Sequence, residues 1–111
     1  MRSTRSLRAR ARSFREIYDR LLNVLISFES FREDPKRTSI HLSHEFAFAG
    51  VHPRKEFLIL NLRTERPIDS PRVRRTEQVS KNRFHNDVKL VSPDDVDAEL
   101  TGWLREAYDA L

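Results

Sequence analysis

Two apolar runs, Phe46 to Val51 and Phe57 to Leu62, stand only a few residues apart and constrain the fold more than anything else in the chain. Between them His52-Pro53-Arg54-Lys55 reads as a turn, because Pro53 fixes φ and cannot donate to a strand ladder. A connection this short joins antiparallel strands. Phe57-Leu58-Ile59-Leu60 is apolar on both faces of a strand, and Phe46, Phe48 and Gly50 alternate with Ala47, Ala49 and Val51. Strands of this kind belong inside a sheet, not at its edge.

The flanking segments supply the rest of an α+β unit. Phe14, Ile17, Tyr18, Leu21, Leu22 and Leu25 recur at helical intervals, and Ser13 and Glu16 have capping-box spacing. The spacing predicts a helix from about residue 14 to about residue 29. Asp34-Pro35 stops any continuation, since Pro35 disfavours α geometry at the residue before it. Ile40 and Leu42 alternate with Ser39, His41 and Ser43, the pattern of an edge strand with one wet face. From Thr64 to Asn82 there is little periodicity, and Pro67, Asp69, Ser70 and Pro71 predict a long loop with one helical turn near Val73. A last strand is expected over Asp87 to Val91. Ser92 then caps the final helix, with Pro93 at its first position and Val96, Leu100, Trp103, Leu104, Ala107 and Leu111 as its buried stripe.

A length of 111 residues fits one core. The expected fold is α+β, a small and mainly antiparallel sheet of about four strands with an N-terminal and a C-terminal helix packed on it. Residues 1–12 are expected to form a basic, disordered tail, and residues 13–111 a single domain. Because the interior strands are apolar on both sides, both faces of the sheet need cover. The helices are expected to straddle it or the long loop to fold across it; an uncovered face would serve a partner or another copy.

Charge is unevenly placed. Six of the 21 basic side chains (Arg2, Arg5, Arg8, Arg10, Arg12 and Arg15) fall before residue 16, leaving 15 against 17 acids in the rest. The net charge of +4 therefore belongs to the tail, and the domain proper is near neutral but polarised. From Arg63 to Arg83 basic residues exceed acids by four, whereas from Pro93 onward six acids stand against Arg105 alone. Arg72, Arg74 and Arg75 offer planar forks of donors that suit a phosphate or carboxylate. Their competing use is pairing with the acidic final helix, where exposed pairs contribute about 0–1 kcal/mol each.

Several function classes lack their motifs. There is no cysteine, so disulfides, thiolate nucleophiles and cysteine metal sites are excluded, which suits a reducing, cytoplasmic setting. No apolar run approaches the roughly 20 residues of a membrane span, and a membrane partner is not expected. His41, His44, His52 and His85 do not have metal-ligand spacing, so no metal or other cofactor is expected. No elbow positions a serine nucleophile, and the only glycines, Gly50 and Gly102, form no phosphate-cradling loop. His85 with nearby Asp87 is the one acid and base candidate, and no catalytic residue is assigned.

Ordered motifs add a resemblance: Phe48-Ala49, Pro53-Arg54-Lys55, Ser70-Pro71-Arg72-Val73-Arg74-Arg75-Thr76, Arg83-Phe84-His85, and Val96-Asp97 through Glu99-Leu100 to Trp103-Leu104-Arg105-Glu106-Ala107-Tyr108. From about residue 14 onward the chain resembles a bacterial domain-of-unknown-function family, number fifty-six fifty-five. In similar proteins a zinc-ribbon-like segment often precedes the domain; here residues 1–12 occupy that place. The resemblance implies no activity.

The residues thus point to a non-catalytic binding module. Lys55, Arg72, Arg74, Arg75 and His85 are its candidate ligand-binding residues, for an anionic ligand or a nucleic-acid phosphate. The alternative is a protein-interaction or self-association domain, a homo-oligomer included, with Phe46 or Phe57 as anchors on an uncovered face. Nucleic-acid binding carried by the arginine tail is expected to weaken steeply with salt and to vanish on deleting residues 1–12, which a salt series of binding titrations checks.

Overall fold

The computed structural model describes the backbone of residues 2–110 and the side chains of residues 14–110. The tail expected over residues 1–12 falls outside the described side chains. Helix α1 spans Arg2–Ile26, so Ser13 lies within it and does not start it. It ends three residues earlier than expected, where Ser27 Oγ and N both donate to the Val24 carbonyl and Phe28 N donates to that of Leu25. A serine that satisfies the last turn's carbonyls closes the helix without glycine.

Six strands follow, two more than expected: β1 (Arg32–Pro35), β2 (Ile40–Ser43), β3 (Ala47–Pro53), β4 (Leu58–Thr64), β5 (Val73–Ser80) and β6 (Arg83–Leu90). They form one sheet in the order β1-β2-β3-β4-β6-β5, antiparallel at every ladder. The apolar runs are its interior strands β3 and β4, joined by a turn in which Arg54 N donates to the Phe57 carbonyl. The strand over residues 40–43 is not at the edge, because β1 pairs outside it. Pro35 betrayed no strand by pattern, yet an edge tolerates it because its missing N–H has no neighbour to serve.

The segment from Thr64 to Asn82 is not one long loop; near Val73 a single turn, closed by Val73 N donating to the Ser70 carbonyl at 3.0 Å, leads straight into a strand. Residues 65–72 form a crossover, and residues 73–80 are strand β5, which β6 pairs along its whole length. β5 is exposed almost throughout. Without a buried side it shows no apolar alternation, which is why its periodicity is absent from the sequence.

The turn after β6 is also built differently. Ser92 precedes a short 3₁₀ turn at Pro93–Asp95, whose Asp95 carboxylate accepts from the Val91 and Ser92 N–H groups. Helix α2 spans Ala98–Asp109, and its N-cap is Asp97, which accepts from Leu100 N at 3.0 Å. That N–H first, and the Arg72 guanidinium second, hold the Asp97 carboxyl below its ordinary pKa.

Both helices pack on one face of the sheet. Leu58, Leu60 and Leu62 of β4, Ala49 and Val51 of β3, Leu42 of β2 and Val88 and Leu90 of β6 join Ile17, Leu21 and Leu25 of α1 and Leu100, Trp103, Leu104 and Ala107 of α2 in one buried cluster. Each fully buried leucine contributes about 1.5–3 kcal/mol. Tyr18 of α1 donates to Glu33, whose ladder partner Leu42 belongs to the same face. The helices do not straddle the sheet.

The crossover lies on that helix face, fastened by Asn86. The Asn86 side-chain amide is fully buried, donates to the Leu62 carbonyl and to Thr64 Oγ1 (3.1 and 2.9 Å), and accepts from Ile68 N and Thr76 Oγ1 (3.0 and 3.2 Å). One side chain thereby joins β4, the crossover, β5 and β6. Two arginines strap the crossover to α2: Arg66 pairs with Glu106, and Arg72 with Asp97 and Glu99. Replacing Asn86 with leucine leaves buried donors unpaired at about 1–3 kcal/mol each. A loss of about 2–4 kcal/mol in urea unfolding is expected for Asn86→Leu.

Candidate functional site

The face opposite the helices is polar, and among the described residues no helix or loop covers it. Along β4, Leu58, Leu60 and Leu62 point to the core, whereas Ile59, Asn61 and Arg63 point away and are partly exposed. The ladder fixes their neighbours: Asn61 stands opposite Asp87 and Gly50, Arg63 opposite His85, and Gly50 opposite His41. His52, opposite Ile59, belongs to the same face. The open face thus gathers three of the four histidines with Arg63, Asn61 and Asp87. Strands expected to be apolar on both sides have Ile59 as their one large aliphatic there, so the face needs no apolar cover.

Arg63 is the unusual group. It is half-buried at the middle of the sheet, its buried Nε has no hydrogen-bond partner, and no carboxylate pairs with it among the described residues. Burial pushes its pKa down, and the neighbouring Arg83 charge adds to that. Arg63 in turn acts on two histidines. His41 and His85 are both held below the ordinary imidazole pKa, first by burial and next by the Arg63 charge. Arg63 thus stands near two imidazoles of lowered pKa, while Glu77 and Asp87 act on His85 in the opposite sense.

A second cationic group lies further along the same face. Arg54, Arg74 and Arg75 line a cavity of about 240 Å³ together with Ile59 and Asp87. The register shift between Val73 and Arg75 makes this possible, because a bulge lets successive residues of β5 serve one side of the sheet. Asp87 accepts from Asn61 Nδ2 at 2.8 Å, and Arg75 pairs with Glu77 at 3.3 Å.

The residues singled out in the sequence are therefore divided. Arg74 and Arg75 come together at the cavity, whereas His85 lies beside Arg63 in the next row of β6 and does not line it. Lys55 is exposed in the turn between β3 and β4. Arg72 is on the helix side, where it binds Asp97, Glu99 and the Asp95 carbonyl and sits over the Trp103 ring at 5.6 Å. Phe46 is exposed in the β2–β3 turn, and Phe57 lies beneath Lys89 Nζ at 4.3 Å. The cavity that Asp87 lines with Arg54, Arg74 and Arg75 does not include His85, and no group of three metal-ligating side chains occurs among the described residues.

Arg63, His41 and Arg54 were not picked out from sequence. A signal existed: from Leu58 to Arg63 leucine alternates with Ile59, Asn61 and Arg63, which places the arginine on the wet face of an interior strand. The histidine shifts have a defined consequence for stability. Their folded pKa values lie below the unfolded value of about 6.5, so the neutral forms are favoured on folding and stability is lost as pH falls through that value. Arg63→Met is expected to raise the pKa of both His41 and His85 and to leave stability at neutral pH equal or higher, checked by NMR titration and thermal unfolding.

A family model described as "Domain of unknown function (DUF5655)" matches residues 4–110, and the chain belongs to that family. No curated protein and no solved structure matches it.

Proposed function

For this member of a family whose description assigns no activity, we propose a non-catalytic binding module that receives an anionic group, a phosphate or carboxylate, on the open face of its sheet. The observation that carries this reading is Arg63, a half-buried guanidinium with an unpartnered Nε and no carboxylate partner among the described residues. Leaving such a donor unsatisfied costs about 1–3 kcal/mol, a cost that an incoming oxyanion relieves with a charge-assisted hydrogen bond. His85 stands directly opposite Arg63 in the ladder, His41 lies two strands away in the Asn61 row and still feels the Arg63 charge, and Arg54, Arg74 and Arg75 extend the positive surface along the face. Arg74, Arg75 and His85 thus keep the ligand-binding role inferred from sequence. Arg72 is taken up by the acidic end of α2 and serves as a tether.

Nothing on the face positions a nucleophile against a base. Asp87 is engaged by Asn61, and the pKa values of His41 and His85 are lowered first by burial and next by the Arg63 charge, which suits binding coupled to proton uptake better than proton transfer to a substrate.

The reading is tested with inorganic phosphate as the probe, by calorimetry and by NMR shifts of His41, Arg63 and His85. With sulfate as a second probe, whose charge is constant in this range, binding is expected to strengthen as pH falls from about 7.5 to about 5.5, because the bound anion raises the depressed histidine pKa values. Arg63→Met is expected to weaken it at least about tenfold while the fold persists. Unchanged phosphate affinity in Arg63→Met would overturn the proposal.

A further inference from the structure

The two edges of the sheet differ. β1 is four residues long, ends in Pro35, and is followed by a Lys36–Asp34 ion pair, all features that discourage pairing with another strand. β5 is eight residues long, contains no proline, and is exposed at every position after Val73. Its outward backbone groups have no neighbouring strand among the described residues. We infer that β5 is an interface for a second copy of this chain, joined antiparallel across a two-fold axis at Thr76 into a continuous twelve-stranded sheet.

Parity and charge select that register. Residues directly opposite in an antiparallel pair share a face, and a two-fold axis normal to the sheet preserves faces. An axis that paired each residue with its successor would oppose side chains of different faces, so the axis must pass through a residue paired with its own copy. Between the register shifts at Val73/Arg75 and Gln78/Ser80 the regular stretch is Arg75 to Gln78. Centring on Arg75 sets two arginines opposite each other, and centring on Glu77 sets two glutamates opposite each other. Like charges in that position are unfavourable. Centring on Gln78 sets Glu77 against Val79 and Thr76 against Ser80, across the second shift, and matches no charges. Centring on Thr76 sets Arg75 against Glu77 of the copy, twice by symmetry, with threonine against threonine, all within the regular stretch. Each chain now pairs Arg75 with its own Glu77 across exposed solvent at 3.3 Å, so the same charges only exchange partners.

The bulges that flank this stretch keep it short. Pairing over so few residues buries little area, and association is expected on the order of 10–100 µM, at the weak end of specific interfaces. Arg75 belongs to the anion surface as well as to this edge, but sedimentation and cross-linking read self-association alone and the anion test reads Arg63 of β4, so the failure of one reading is distinguishable from the failure of the other.

Sedimentation velocity on the full chain, up to about 1 mM protein, tests it. Wild type is expected to be dimeric at the upper concentrations. Arg75→Glu alone and Glu77→Arg alone should each be monomeric, and the double variant Arg75→Glu with Glu77→Arg should recover the dimer. Cross-linking provides a second measurement that does not depend on charge. Cβ atoms directly opposite are about 4.5–5.5 Å apart, so Thr76→Cys should oxidise to a disulfide with its own copy, and Gln78→Cys should not. A wild type that stays monomeric, single reversals that leave the dimer intact, or equal cross-linking at both positions overturns the inference.

Discussion

The fold hangs on the buried amide of Asn86. Four polar contacts converge on it, from the Leu62 carbonyl and Thr64 Oγ1 of β4, Ile68 N of the crossover and Thr76 Oγ1 of β5. An amide has two donors and an acceptor oxygen with two lone pairs, so this side chain is fully satisfied in a place without water. Its position determines that β4 does not lead directly into a neighbouring hairpin strand. The chain instead crosses β6 on the helix face, enters β5 at the far edge, and returns as β6 into the interior. Thr64, itself buried, donates to the Arg66 carbonyl and so shapes the start of that crossover.

The rest of the charge pattern follows from this route. Because the crossover runs on the helix face, Arg66 and Arg72 meet the acids of α2 and become straps between crossover and helix. Arg74 and Arg75, a few residues later, are carried by the bulge of β5 to the opposite face. A single basic stretch in the sequence is thus split between two sides of the sheet, with a packing role on one and an accessible cationic surface on the other. Arg63 belongs to neither group by sequence, yet the ladder sets it beside His85 at the centre of the open face.

Much of the architecture was legible because burial writes a period into the chain. Strands β3 and β4, the amphipathic stripe of α1 and the stripe of α2 all have buried sides, and their residues were recognised as core from spacing alone. What could not be read had no buried side to mark it. β1 is exposed at all four positions and β5 at nearly all of its eight, so neither alternates and both looked like loop. The start of α2 was misplaced for a different reason: Ser92-Pro93 and Asp97 are both good caps, and a 3₁₀ turn takes the first while the helix takes the second.

From the residues alone, then, came the antiparallel pairing of the two apolar strands, the helices over the stretch from about residue 14 and over the C-terminal stretch, and the confinement of the net charge to the arginine-rich start. These depend on local periodicity and composition, which a chain carries wherever it folds. The order of strands, the division of the arginines between two faces, and the meeting of Arg63 with His41 and His85 came from the three-dimensional fold. Each depends on residues far apart in sequence being brought opposite one another, and a hydrogen bond such as that of Ile68 N to Asn86 leaves no periodic trace in the residues that make it.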